Sequence, residues 1–93
     1  MIMKNKTKKI YIVYGETGEY SDRSDWNVKA FFERKKALVL LNECSEDAKK
    51  WEIKRESEYT SPPKDWSKHD PDMKMDYTGT DYFIAEVDLE DKI

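Results

Sequence analysis

Between Tyr14 and Trp26 the chain reads Gly-Glu-Thr-Gly-Glu-Tyr-Ser-Asp-Arg-Ser-Asp, and four carboxylates (Glu16, Glu19, Asp22, Asp25) surround one cation, Arg23. Two readings of this group are open. In one, Arg23 donates its planar fork to neighbouring carboxylates and stiffens a long turn, while Ser21 and Asp22 cap backbone N–H groups. In the other, the turn is a rigid polar platform that presents Tyr20 to a partner, since Tyr and Arg are enriched among interface hot spots. Phosphate chemistry does not fit. A P-loop starting at Gly15 needs glycine at position 20 followed by Lys and Ser/Thr, and position 20 is Tyr. A dinucleotide fingerprint needs a helix opening behind the glycines, and none is expected there.

A second polar group lies near the other end, Asp70-Pro71-Asp72-Met73-Lys74-Met75-Asp76-Tyr77-Thr78-Gly79-Thr80-Asp81-Tyr82. Asp70, Asp72 and Asp76 could meet a hard cation, but the ligand spacing, central Gly and terminal Glu of an EF-hand are missing. Thr78-Gly79 reads more simply as a turn that launches a strand. The single histidine, His69, stands in a polar stretch, and the single cysteine, Cys44, falls on a helical apolar stripe. Two soft ligands are too few for a structural zinc site, and no nucleophile–base pair is apparent. No catalytic role, cofactor or metal is therefore expected. Arg34, Lys35 and Lys36 sit where a helix N-terminus favours acids. This is either a tolerated small cost or a minor anion site.

The elements that position these groups follow from hydropathy patterning. Lys9–Tyr14 is β-branched and aromatic with both faces apolar, which predicts a central strand covered on both sides. Trp26–Phe32 alternates, with Trp26, Val28, Ala30 and Phe32 on one face. Glu33 to about Glu56 carries Ala37, Leu41, Cys44, Ala48 and Trp51 at steps of four and three, one helical stripe. Tyr82–Leu89 alternates again, Phe83, Ala85, Val87 and Leu89 opposing Tyr82, Ile84, Glu86 and Asp88. The order strand, strand, helix, strand predicts an α+β fold, a three-stranded antiparallel sheet of order 2-1-3 with one long helix on one face. The stripe should pack against Trp26 or Val28 and Phe83 or Val87. The first and third strands then bring the two polar groups to the same end of the sheet. Residues 59–80, rich in aromatics and Met, either join the binding surface or fold Trp66, Met73 and Tyr77 back over the second sheet face.

Ninety-three residues and 11.1 kDa allow a single domain, 1–93. Charged residues make up 40 %, yet the 13 % of aromatics argues for a folded core rather than disorder. The net charge of −3 is unlike that of a duplex-binding domain. The charge is segregated: Lys4, Lys6, Lys8 and Lys9 make residues 1–8 and the strand's first residue a basic arm, and the chain closes on an acidic tail, 90–93. No apolar run is long enough to span a bilayer, and the opening residues lack a signal peptide's apolar region. With one cysteine, this predicts a cytoplasmic protein.

The run Tyr14-Gly15-Glu16-Thr17-Gly18-Glu19-Tyr20-Ser21-Asp22-Arg23, with Trp26 after it and Asp76-Tyr77-Thr78-Gly79-Thr80-Asp81-Tyr82 near the end, resembles a group of small uncharacterised phage and prophage proteins. The resemblance implies a mobile-element accessory protein of the host cytoplasm, and many of these bind and block a host defence enzyme, as anti-CRISPR proteins do. It implies no catalytic residue. The expected function is protein binding without catalysis, to a host or phage protein and not to nucleic acid or a membrane. The expected site is Glu19, Tyr20, Asp22, Arg23, Trp66, Asp76, Tyr77 and Tyr82. The alternative is a small-ligand or nucleotide-signal binding protein, with a structural role in a phage particle behind it.

Overall fold

A computed structural model describes residues 8–55 and 60–89. The tail 90–93 and the basic arm up to residue 7 lie outside them. The fold is the expected one. Strands β1 (Lys8–Thr17), β2 (Ser24–Phe31) and β3 (Thr80–Leu89) form an antiparallel sheet of order β2-β1-β3, and the 22-residue helix α1 (Arg34–Arg55) crosses one face. Among the described residues no helix is long and apolar enough to cross a membrane.

Several boundaries and faces differ from expectation. Lys8 belongs to β1 and pairs with Leu89 rather than to the arm. Lys9 lies 3.2 Å from Glu86 and 2.9 Å from Asp88, so the oppositely charged ends of the first and last strands do attract. The β1–β2 connection is shorter than the 11 residues expected, because Gly15, Glu16 and Thr17 continue the ladder opposite Trp26, Asp25 and Ser24. Gly15 is a strand residue on account of its neighbours. A Cβ there would stand 2.7 Å from the Trp26 ring and 2.9 Å from the Tyr82 ring. Both rings lie across a position that only a residue without a side chain leaves open.

That packing decides which side of β3 faces the helix. Tyr82 pairs with Gly15 and fills its space, and strict alternation then places Tyr82 and Ile84 inward. Phe83 and Val87, expected beneath the helix, are on the opposite face instead. A bulge between Val13 and Tyr14 makes the same correction in β2: Val13 faces Lys29 and Tyr14 faces Asn27, so Val28 is the extra residue. Phe31 thereby joins Trp26 and Val28 against the core, while Phe32 is exposed.

The core consists of Val13, Ala37, Leu40, Cys44, Ala48, Met73, Met75 and Tyr82. Leu40 is its deeper leucine, with Leu41 and Trp51 packed at the margin. The segment after the helix closes this same face rather than the second one. Trp66 stacks edge-on against Trp51 at 5.0 Å, and its Nε1–H donates to the Asp47 carbonyl at 2.9 Å. The second face of the sheet, which the two apolar faces of β1 predicted to be covered, is left uncovered among the described residues.

A candidate binding loop at the end of the sheet

The polar groups singled out in the sequence meet at the end of β1. Its last residue, Thr17, is buried, and its hydroxyl bridges both motifs. It donates to the Gly79 carbonyl at 2.6 Å and accepts from the Asp76 N–H at 2.8 Å. Beside it the Gly18 N–H donates to the Thr78 hydroxyl at 3.0 Å. Each side contributes a tight turn. Gly79 N–H donates to the Asp76 carbonyl at 3.0 Å, with Gly79 at φ 85°. Gly18, at φ 90°, turns the chain back so closely that a Cβ would run into the Asp22 carbonyl oxygen. The β1–β2 turn and the turn before β3 are thus one unit, latched by the hydroxyls of Thr17 and Thr78.

This unit carries Tyr20 outward. The residue opens a short 3₁₀ turn, Tyr20–Asp22, closed by Asp22 N–H to Glu19 O at 2.9 Å and Arg23 N–H to Tyr20 O at 3.2 Å. Its φ is 54°, in the left-handed region that bulky residues avoid, and its ring is 93 % exposed. Arg23 makes an ion pair with Glu16, which raises the guanidinium pKa further and holds it charged. The Tyr77 hydroxyl, 3.3 Å from Glu19 Oε1, has its pKa raised by that carboxylate first and by desolvation second. An open depression of about 460 Å³ lies among Glu16, Gly18, Glu19, Tyr20 and Arg23. Asp22, Asp25, Asp76 and Asp81 add further carboxylates at this end, so the surface around Tyr20 is acidic.

The expected site residues divide into two groups. Glu19, Tyr20, Asp22, Arg23, Asp76 and Tyr77 belong to the latched unit, and Arg23 does reach a carboxylate. Trp66 stands apart on the helix, half-buried against Trp51. Tyr82 is buried in the core, and its hydroxyl donates to Asp70 Oδ2 at 2.6 Å. Burial, then Asp70, raises its phenol pKa far above the ordinary value. The Tyr82 ring is therefore closed to a partner, while the Trp66 ring is partly exposed away from the latched unit. The sequence does not mark Thr17, because a threonine in a strand carries no sign of what its hydroxyl will meet.

Two carboxylates of the second polar group, Asp70 and Asp76, hold the fold. Asp70 accepts from Trp26 Nε1–H at 2.9 Å as well as from Tyr82, and Asp76 Oδ1 accepts from its neighbour Tyr77 N–H. His69 is not isolated: Nδ1 lies 3.0 Å from Asp47 Oδ2 and Nε2 lies 3.4 Å from Glu43 Oε2, both on α1. Ser67 donates to Asp47 Oδ2 at 2.6 Å and accepts from the His69 and Asp70 N–H groups. Serine, histidine and aspartate thus lie together without a nucleophile's geometry. The buried hydroxyl gives its proton to the carboxylate, not to the imidazole. The Cys44 thiol, on the buried face of α1 and near Asp70, has its pKa pushed up to about 12 by burial first. No family model matches the chain, and neither a curated protein nor a solved structure matches it.

Proposed function

We propose that this is a small binding module, without catalysis, that captures a basic surface of another protein through the Tyr20 loop. The motif resemblance suggests its setting, a phage-type accessory protein that blocks a host or defence protein in the host cytoplasm. The observation that carries the reading is the state of Tyr20. A large ring stands in solvent on a left-handed backbone, where the left-handed region disfavours a non-glycine residue by roughly 1–2 kcal/mol. Its surroundings are nevertheless latched by Thr17, Gly18 and Thr78. Among the described residues the ring packs on almost nothing, whereas a pre-organised exposed tyrosine is what an interface uses as an anchor. The carboxylates around it select for a basic partner and against nucleic acid. A nucleotide signal is disfavoured for the same reason, since Arg23 already faces Glu16.

The test compares wild type with Tyr20→Asn and Arg23→Ala in affinity capture from a bacterial host lysate, with thermal melts of all three. Asn tolerates the left-handed region. Tyr20→Asn should therefore melt at or above wild type and lose the captured protein. Retention of the same protein by a folded Tyr20→Asn would refute the reading. A heat-stable small molecule released from the wild type, in place of a captured protein, would favour the ligand-binding alternative.

A further inference from the structure

The uncovered face of the sheet has a defined composition. Ile10, Ile12 and Tyr14 of β1 lie beside Val87, Ala85 and Phe83 of β3, their partners in the ladder, and Ala30 of β2 lies opposite Ile12. Phe83, Val87 and Leu89 are 41 %, 44 % and 39 % exposed. Three strands spaced about 4.8 Å apart, over the length from Lys8 to Glu16, give this face a plan area of roughly 400 Å². Its apolar centre, between the charged ends, falls among the patches of a few hundred Å² that on single-chain proteins are often functional.

The charges on the same face are arranged by end. Lys8 marks one end, its ammonium 5.5 Å from the centre of the exposed Phe32 ring. At the other end Glu16 is flanked across the ladder by Asp25 and Asp81, with Arg23 offsetting one of the three. Lys8 and Glu16 lie four residues on either side of Ile12, and Leu89 and Asp81 four residues on either side of Ala85. This spacing has a symmetry consequence. A two-fold axis lying between two such faces and running across the strands through Ile12 and Ala85 reverses the strand direction. It sets Lys8 of each copy over the Glu16 cluster of the other, Tyr14 over Ile10 and Phe83 over Val87. An axis running along the strands would instead stack Lys8 on Lys8 and acids on acids. Ala30 and Ala85 on either side of Ile12 leave room at the centre for side chains to interdigitate.

We propose that this face is the docking surface for a second copy of the chain, forming an antiparallel two-fold sheet-on-sheet dimer directed by Lys8 and the Glu16–Asp25–Asp81 cluster. The inference does not depend on the Tyr20 reading. The dimer leaves one Tyr20 loop at each end. Two such faces bury roughly 800 Å² in all, below the roughly 1,200 Å² at which stable specific interfaces begin, so the dimer is a weak one that dissociates on dilution.

Sedimentation equilibrium tests it, at concentrations up to about 1 mM so that a small interface is populated. The mass should rise from 11.1 kDa toward twice that value with concentration. Val87→Lys, at an exposed position, should keep the melting temperature and remain monomeric. Lys8→Glu should weaken association about tenfold, as loss of a facing charge pair does, and Asp81→Lys should weaken it too. The double variant Lys8→Glu/Asp81→Lys should recover part of it, since the new lysine stands diagonally across from the new glutamate. A monomer at every concentration would overturn the proposal and leave the face to a foreign partner. Association that ignores Lys8→Glu, or that the charge swap fails to recover in part, would overturn it as well, showing apolar adhesion without this symmetry.

Discussion

Gly15→Ala puts the packing of the core to a stringent test. The added methyl would stand 2.7 Å and 2.9 Å from the Trp26 ring and 2.9 Å from the Tyr82 ring, against ordinary contact from about 3.4 Å. The rings must retreat by several tenths of an ångström, and neither is free to do so. Asp70 holds both at their polar tips, Trp26 Nε1 at 2.9 Å and the Tyr82 hydroxyl at 2.6 Å. Overpacking of this kind costs about 1–3 kcal/mol. Strained hydrogen bonds to a buried carboxylate add about 1–2 kcal/mol. The stiffer unfolded chain offsets about 0.5–1 kcal/mol. The net destabilisation is about 1–4 kcal/mol, a fall of about 5–20 °C in Tm for a chain of this size. Urea unfolding followed by tryptophan fluorescence measures it directly. Repeating the substitution in a Tyr82→Phe background, where that ring has lost its tether, should reduce the cost by about 0.5–1 kcal/mol. A neutral or stabilising Gly15→Ala would refute the argument, since it would mean that the Trp26 and Tyr82 rings yield to a methyl group at little cost.

Thr17→Val keeps the shape of the latch and removes its hydroxyl, leaving the Gly79 carbonyl and the Asp76 N–H without that partner; about 1–3 kcal/mol should be lost, with faster amide exchange in residues 76–79 as the accompanying signature. The Asp47 carboxyl should give the acid limb of the stability curve part of its slope. Burial would raise its pKa, but hydrogen bonds from Ser67 and then His69 outweigh that and hold it below the ordinary 3.8. A depressed carboxyl contributes stability that is present above 3.8 and lost as pH falls through the lower folded value, so Asp47→Asn should flatten the loss of Tm in that acid range. If the Asn variant shows the same slope as wild type, the Ser67–His69 contacts do not act on Asp47 in solution. Cys44, buried and with its thiol pKa pushed up to about 12, should resist thiol reagents at pH 8 until the protein unfolds. Prompt labelling of the native protein would place that thiol outside the core.

Much of this architecture is written in local patterns. The two apolar faces of Ile10–Tyr14 mark a central strand, the four-and-three spacing from Ala37 to Trp51 marks the helix, and the order of elements then leaves 2-1-3 as the economical sheet. Topology alone brings the Tyr20 turn and the Tyr77 turn to one end, because antiparallel neighbours begin where the other stops. What sequence cannot express is a choice between equivalent faces. Phe83, Ala85 and Val87 alternate as convincingly as Tyr82 and Ile84, and the inward set is chosen by a hole two strands share, above Gly15, that a tyrosine fits. The Val28 bulge, the docking of Ser67 and His69 on Asp47, and the Thr17 latch are of the same kind. Each depends on which groups a strand or turn meets across space, and side-chain alternation along one strand carries no record of its neighbour.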